Sequence, residues 1–269
     1  KAMKLVSTVK LQRARAGAER SQTYFDCMYD TVNNILSRVG HLEHKYLVPG
    51  ACPKKAVIVI TSNRGLAGGY NSNVAKLITG QEDWKTEDVV VYAIGNKGRE
   101  ILERKGYTVK ESYPEVIEEP AYAEAMLLSQ KLLTSFAAGE IGEIYLAYTH
   151  FKNTVSQEAQ LIRMLPVEVS EYDADAKAPA EGADALMNFE PEDVEALDMI
   201  IPKYISSLIY GALMEAAASE NGARMQAMDN ATSNAEDMIS DLTLKYNRAR
   251  QGSITQELTE IIAGANAIE

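Results

Sequence analysis

Directly behind the apolar run KKAVIVIT stands SNRGLAGGYN, residues 62–71, which sets Gly65, Gly68 and Gly69 beside Asn63 and Arg64. A glycine-rich turn between a strand and a helix is a common way to cradle phosphate, on backbone N–H groups and the positive end of the helix. This turn has neither the G-x-x-x-x-G-K-[ST] of a P-loop nor the G-x-G-x-x-G of a dinucleotide fold. No lysine follows at the spacing needed to reach a β-phosphate, because the nearest is Lys76, well into the next element. An anion at the helix start with Arg64 beside it stays open, and so does a turn that is only scaffold.

Other groups that could do chemistry are scattered. His41 and His44 fall at a helix end and His150 near a strand end, none in an H-E-x-x-H frame, so they read as surface or capping residues. Ser7 and Ser62 have no recognisable partner set, and Glu118 and Glu119 before Pro120 read as a solvated pair. Cys27 and Cys52 give neither a disulfide framework nor a metal-site spacing, which fits a reducing compartment. No metal, cofactor or catalytic constellation is expected from these residues.

The elements that must position the loop alternate in type. Strand signals fall at 56–61, 89–95 and 143–151, with a partner for the last at 156–167 and a short strand expected at YTVKES. Helical stretches lie between them, at about 71–79, across KGREILERKG, and at 122–139, the last closed by Gly139. Strands alternating with helices predict a mainly parallel, Rossmann-like α/β layer, here over residues 54–170. A polar, acidic loop is expected at 171–190.

Both ends of the chain read differently. Phe25, Met28, Val32, Ile35, Val39 and Leu42 step by 3 and 4, a heptad stripe on a helix expected from the start to about Lys45, within an N-terminal segment of residues 1–47. From about 191 to 267 a second stripe runs through Val194, Leu197, Ile201, Ile205, Leu208 and Ala212, then Met228, Ala231, Ala235, Met238 and Leu242, then Ile254, Leu258, Ile261 and Ala265. Pro191 and Pro202 lie towards its start, where proline is best tolerated. At ~1.5 Å per residue such a helix reaches roughly 110 Å, whereas a compact chain of this size is about 40 Å across. It must leave the globule. The economical arrangement is a long antiparallel coiled coil of the two terminal helices with the α/β domain inserted between them, the second helix projecting past the first. Ala216, Ala217, Ala223, Ala231 and Ala235 permit close approach along that seam.

The chain has 27 basic and 38 acidic residues, a net charge of −11, which argues against nucleic acid as a partner. Residues 1–20 nevertheless hold six basic side chains against Glu19 alone, while residues 171–200 hold ten acids against Lys177. The basic head reads either as a dock for an acidic partner surface or as a solvated helix face. No apolar run approaches the ~18 residues that span a bilayer. No secretory leader is read, and the opening KAMKLVS already sits in a helical pattern, so further residues are expected before it.

Four segments, KAMKLVS, ITSNRGLAGGYNSNV, SENGARMQAMDNATSNA and YNRARQGSITQELTEIIAGANA, together resemble the gamma subunits of F-type, proton-translocating ATP synthases. They occur in the right order and span essentially the whole chain. The resemblance implies a non-catalytic rotor shaft that transmits rotation of a c-subunit ring to a hexamer of alpha and beta subunits, with an epsilon subunit against the α/β domain. It implies residence on the cytoplasmic face of a bacterial plasma membrane, peripheral and through the complex. It places hexamer contacts at Met3, Lys4, Arg224, Arg250, Gln251, Thr255, Glu257 and Glu260, and a family signature in the loop at Asn63, Arg64, Gly65, Gly68 and Gly69. Where Asn63 and Ala67 stand, many relatives carry Asp and Cys, and the lost carboxylate weakens a metal reading of the loop. The cysteine-bearing insertion of chloroplast forms is lacking, which argues against thiol regulation. The competing reading is an α/β nucleotide-utilising enzyme with a coiled-coil arm, which requires a catalytic constellation in the central domain.

Overall fold

A computed structural model describes residues 2–39, 44–167 and 193–266. The expected acidic loop at 171–190, His41 and Leu42 lie outside them, as do the side chains of Phe25, Ile35 and Val39. Helix α1 (Ala2–Val39) leads into β1 (Lys55–Ile60), α2 (Tyr70–Thr79), β2 (Val89–Ile94), α3 (Asn96–Arg104) and β3 (Thr108–Ser112). Then come α4 (Tyr122–Ala137), β4 (Glu143–Phe151), β5 (Gln157–Leu165) and α5 (Asp193–Asn266).

The sheet has the order β3-β2-β1-β4-β5. β1 pairs in parallel with both β2 and β4, β2 in parallel with β3, and only β5 is antiparallel. A strand with helices on both faces must be apolar throughout. β1 meets that demand: Ala56, Ile58 and Ile60 pack towards α4 and α5, while Val57 and Val59 pack towards α2 and α3. Gly95 closes β2 with φ 92° and ψ 141°, a conformation only glycine adopts at low cost. An added Cβ would lie 2.1 Å from the Thr61 carbonyl oxygen. Gly95→Ala is therefore expected to destabilise the sheet domain by about 3 kcal/mol, read as a lowered denaturation midpoint.

Helix α5 runs unbroken for 74 residues, ~110 Å at 1.5 Å each. Pro202 sits well inside it rather than in its first turn. The missing N–H leaves the Asp198 carbonyl without its helical donor. The helix persists because Leu197, Ile201 and Ile205 around the proline are all fully buried. Contact along α1 is antiparallel, since Lys4 reaches Asp229, Thr8 reaches Met225, and Gly17 lies against Met214.

The stripe of α5 departs from a simple two-helix seam where α4 and β4 also press on it. Ile209 and Leu213, off the expected stripe, are fully buried, and Leu208 on it is only half-buried. Further along, Ala216 and Ala217 are buried while Ala231 and Ala235 are exposed. Residues 233–266 are exposed throughout.

His44 is buried, not a surface residue, and its Nε2 lies 3.2 Å from Asp198 Oδ1. Lys45 Nζ reaches the same oxygen at 2.8 Å, and this hydrogen bond holds the Asp198 carboxyl below its ordinary value. A lowered carboxyl contributes stability above its unfolded pKa and loses it as pH falls through the folded value. Asp198→Asn should therefore flatten the acid limb of stability below about pH 4, measured by denaturation across that range.

Candidate functional site

Residues 61–69 form the turn between β1 and α2. Leu66 (φ 63°) and Gly68 (φ 57°) both take left-handed backbone, which bends the chain sharply enough to bring Gly69 to the start of α2. The Ser62 N–H donates to Asn71 Oδ1 at 2.9 Å, and the Ser62 hydroxyl donates to the Arg64 carbonyl at 2.5 Å. Ser62, given no partner by its sequence context, is thus the inner brace of the loop. Asn63 is the outer one. Its Nδ2 donates to the Pro114 carbonyl at 2.7 Å and to Glu118 at 3.2 Å, while its Oδ1 accepts from the Asn96 N–H at 3.1 Å. One amide thereby joins the loops that follow β1, β2 and β3. An ionised Asp there would have no proton to give Pro114 or Glu118. Glu118 and Glu119 are both exposed, as expected of a solvated pair, and Glu118 also takes part in this network.

The loop borders the switch point of the sheet. In an open α/β sheet the ligand crevice lies outside the carboxyl ends of the strands, where the strand order reverses, here between β1 and β4. Gly68, Gly69, Tyr70, Asn73 and Thr149 line a cavity of about 200 Å³ at that point, and Ala223, Gln226 and Asn230 of α5 form its other wall. That is below the ~300 Å³ of ordinary ligand pockets. No lysine or arginine lines it to balance a phosphate. Among the described residues no group of three or more His, Cys, Asp or Glu could hold a metal ion.

Of the other expected site residues, Met3 is 53% exposed at the start of α1. Lys4 pairs with Asp229 at 2.6 Å yet keeps 43% of its side chain in solvent. Arg250, Gln251, Thr255, Glu257 and Glu260 are exposed on the free length of α5. Their hydrogen bonds stay within the helix, such as Thr255 Oγ1 to the Gln251 carbonyl and Gln256 Nε2 to Glu260 Oε1. Between them run Leu242, Tyr246, Ile254, Leu258, Ile261 and Ile262, all about half exposed or more. Arg224 alone is turned inward. One guanidinium nitrogen lies 2.7 Å from Glu220 and the other 3.5 Å from the Arg64 carbonyl, so it ties the long helix to the loop.

What the sequence reasoning missed is Glu220. A Glu four residues before an Arg on a helix reads as a solvated pair, and only the three-dimensional return of residues 62–71 covers it. A faint signal was available, since Glu220 is the second residue of SENGARM, within one of the four diagnostic segments. The exposed half of α5 is the larger feature. Lone apolar side chains on a surface are ordinary, but a helix of this length carrying so many demands cover. Among the described residues no helix is long and apolar enough to cross a membrane.

Known proteins share these features. The family described as ATP synthase matches residues 1–268. The ATP synthase gamma chain of Lachnoclostridium phytofermentans is 62% identical over 270 residues, covering 100% of this chain and 92% of the relative. That of Alkaliphilus metalliredigens is 41% identical over 269 residues, with 100% and 92% covered. The sodium-ion-specific gamma chain of Acetobacterium woodii is 37% identical over 279 residues, with 99% and 92% covered. In shape, the chain superposes on one from the central stalk and c-ring of the Tetrahymena thermophila mitochondrial ATP synthase with a TM-score of 0.62 at 23% identity, covering 86% of this chain and 98% of that one.

Proposed function

The chain belongs to the gamma-chain family of the ATP synthases, and from that premise we propose how its two halves divide the work of a central-stalk rotor. Gamma is a non-catalytic subunit, so its chemistry is mechanical: it transmits rotation between an ion-driven c-ring and the alpha and beta subunits that carry the nucleotide sites. The single observation that carries the assignment of parts is the length of α5 beyond the globule. Residues 233–266 extend roughly 50 Å with no cover from the other described residues.

On this reading the free half of α5 stands in the bore of the hexamer. Met3, Lys4, Arg250, Gln251, Thr255, Glu257 and Glu260 face its wall, and Arg224 lies behind them, engaged with Glu220 and Arg64. A ladder of amides, hydroxyls and charges suits a shaft that must turn. Each exposed hydrogen bond or ion pair is worth ~1 kcal/mol or less, so contacts can break and re-form at every step without stalling it. The basic start of α1 meets acidic surface on the beta subunits. The sheet domain faces the membrane end, against epsilon and the c-ring, and the assembly sits on the cytoplasmic face of a bacterial membrane.

Co-expression with alpha and beta subunits of a close relative tests this. A stoichiometric complex that hydrolyses ATP is expected, while the chain alone does not. Hydrolysis by the isolated chain, or failure to join the complex, overturns it. The enzyme-with-an-arm alternative draws no support from the switch-point cavity, which lacks both size and cations.

A further inference from the structure

We propose that Glu220 is a positioning residue for torque: it holds Arg224 against the 62–69 loop and so completes a polar joint between the sheet domain and the axle. The inference rests on the rotor reading and deepens it.

The joint occupies residues 215–224 of α5, the stretch just before the helix leaves the globule. Glu215 Oε2 lies 2.6 Å from His150 Nδ1 at the end of β4. The Ala216 carbonyl accepts from the Tyr70 hydroxyl at 3.1 Å, from the first residue of α2. The Ser219 hydroxyl donates to the Thr149 carbonyl at 3.0 Å. Glu220 and Arg224 add the last tie, to the Arg64 carbonyl. These ties end on the carboxyl end of β4, on the first residue of α2 or on the loop between β1 and α2, at the centre of the sheet. Towards the start of α5 the contacts with the domain are mainly apolar, through Leu197, Ile201, Ile205 and Ile209. Apolar contacts resist separation but have little directional preference, whereas hydrogen bonds weaken steeply when their donors and acceptors are misaligned. A twisting load passing from the sheet into the free helix is therefore borne most stiffly at 215–224.

Within the joint, the Glu220–Arg224 pair is an expensive choice if stability were its only purpose. Both side chains are about 15% exposed, at 14% and 15%. Burial raises the Glu220 carboxyl, with Arg224 and Lys10 opposing the rise and Glu118 adding to it. Apolar replacements of buried ion pairs are often as stable as the pair. What the pair provides is direction. With Glu220 on one side of the planar guanidinium, the other side is presented to the Arg64 carbonyl, within a turn that already holds Leu66 and Gly68 in left-handed backbone.

The test uses the assembled complex in membrane vesicles, comparing wild type, Glu220→Ala and Arg224→Lys. Two quantities are read: ATP-driven uptake of protons or sodium per ATP hydrolysed, and hydrogen exchange at the amides of residues 64–69. For Glu220→Ala, uptake per ATP should fall at least about threefold and loop exchange should rise about tenfold. Arg224→Lys, which keeps a cation able to reach Glu220, should fall between it and wild type. If Glu220→Ala does not assemble, Glu220→Gln, which retains an acceptor of the same shape, is expected to show the same changes at smaller amplitude. Unchanged uptake per ATP, or reduced uptake with loop exchange unchanged, overturns the joint. A wild-type complex that fails to couple hydrolysis to uptake would instead overturn the rotor reading on which the joint rests.

Discussion

Removing residues 245–269 is expected to leave the rest of the chain folded and to lower coupled ATPase activity of the assembled complex by at least about tenfold. The two halves of the expectation have different causes. The described residues of that segment are all exposed, so they add nothing to the core of this chain, and the denaturation midpoint should stay within a degree or two. The same residues include Arg250, Gln251, Thr255, Glu257 and Glu260 together with Ile254, Leu258 and Ile261. If each polar contact is worth ~1 kcal/mol to the assembled state, losing a few of them accounts for more than tenfold. Activity assays on purified complex, beside denaturation of the free chain, separate the two. A truncated complex that couples normally would remove the free helix from the mechanism.

The second large effect contrasts two isoleucines on one helix. Ile209 is fully buried where α5 meets the sheet domain and α4, whereas Ile254 is 47% exposed on the free half. Ile209→Ala should cost about 3 kcal/mol of stability, the transfer term plus the cavity left in a packed interior. Ile254→Ala should cost under about 0.5 kcal/mol in the isolated chain. In the complex the order of interest reverses. Ile254→Ala should weaken association with the hexamer, while Ile209→Ala should reduce the yield of folded subunit. Denaturation curves and subunit titration read the two outcomes. Equal stability losses would mean that the free half of α5 folds back on the domain in solution.

Much of this architecture was legible because periodicity is a local signal. The apolar strand runs placed β1, β2 and β4 almost to the residue, and the helical stripe placed α5 within two residues of its described ends. A helix of that length must leave a globule of this size, and α5 does so over residues 233–266. What could not be read is who covers whom. The stripe through Leu208 assumed one partner helix, but α4 and β4 also press on α5, so Ile209 and Leu213 become core. His44 resembled a surface or capping residue because its partner, Asp198, lies far away in sequence. Ion pairs and caps between distant segments leave no periodic trace.

The most direct test is to watch the globule turn. With the hexamer fixed to a surface, Cys27 and Cys52 replaced, and a bead attached through Glu82→Cys in the exposed turn after α2, ATP should drive sustained rotation in one direction. A complex that hydrolyses ATP while the bead only fluctuates about a fixed angle would contradict the account.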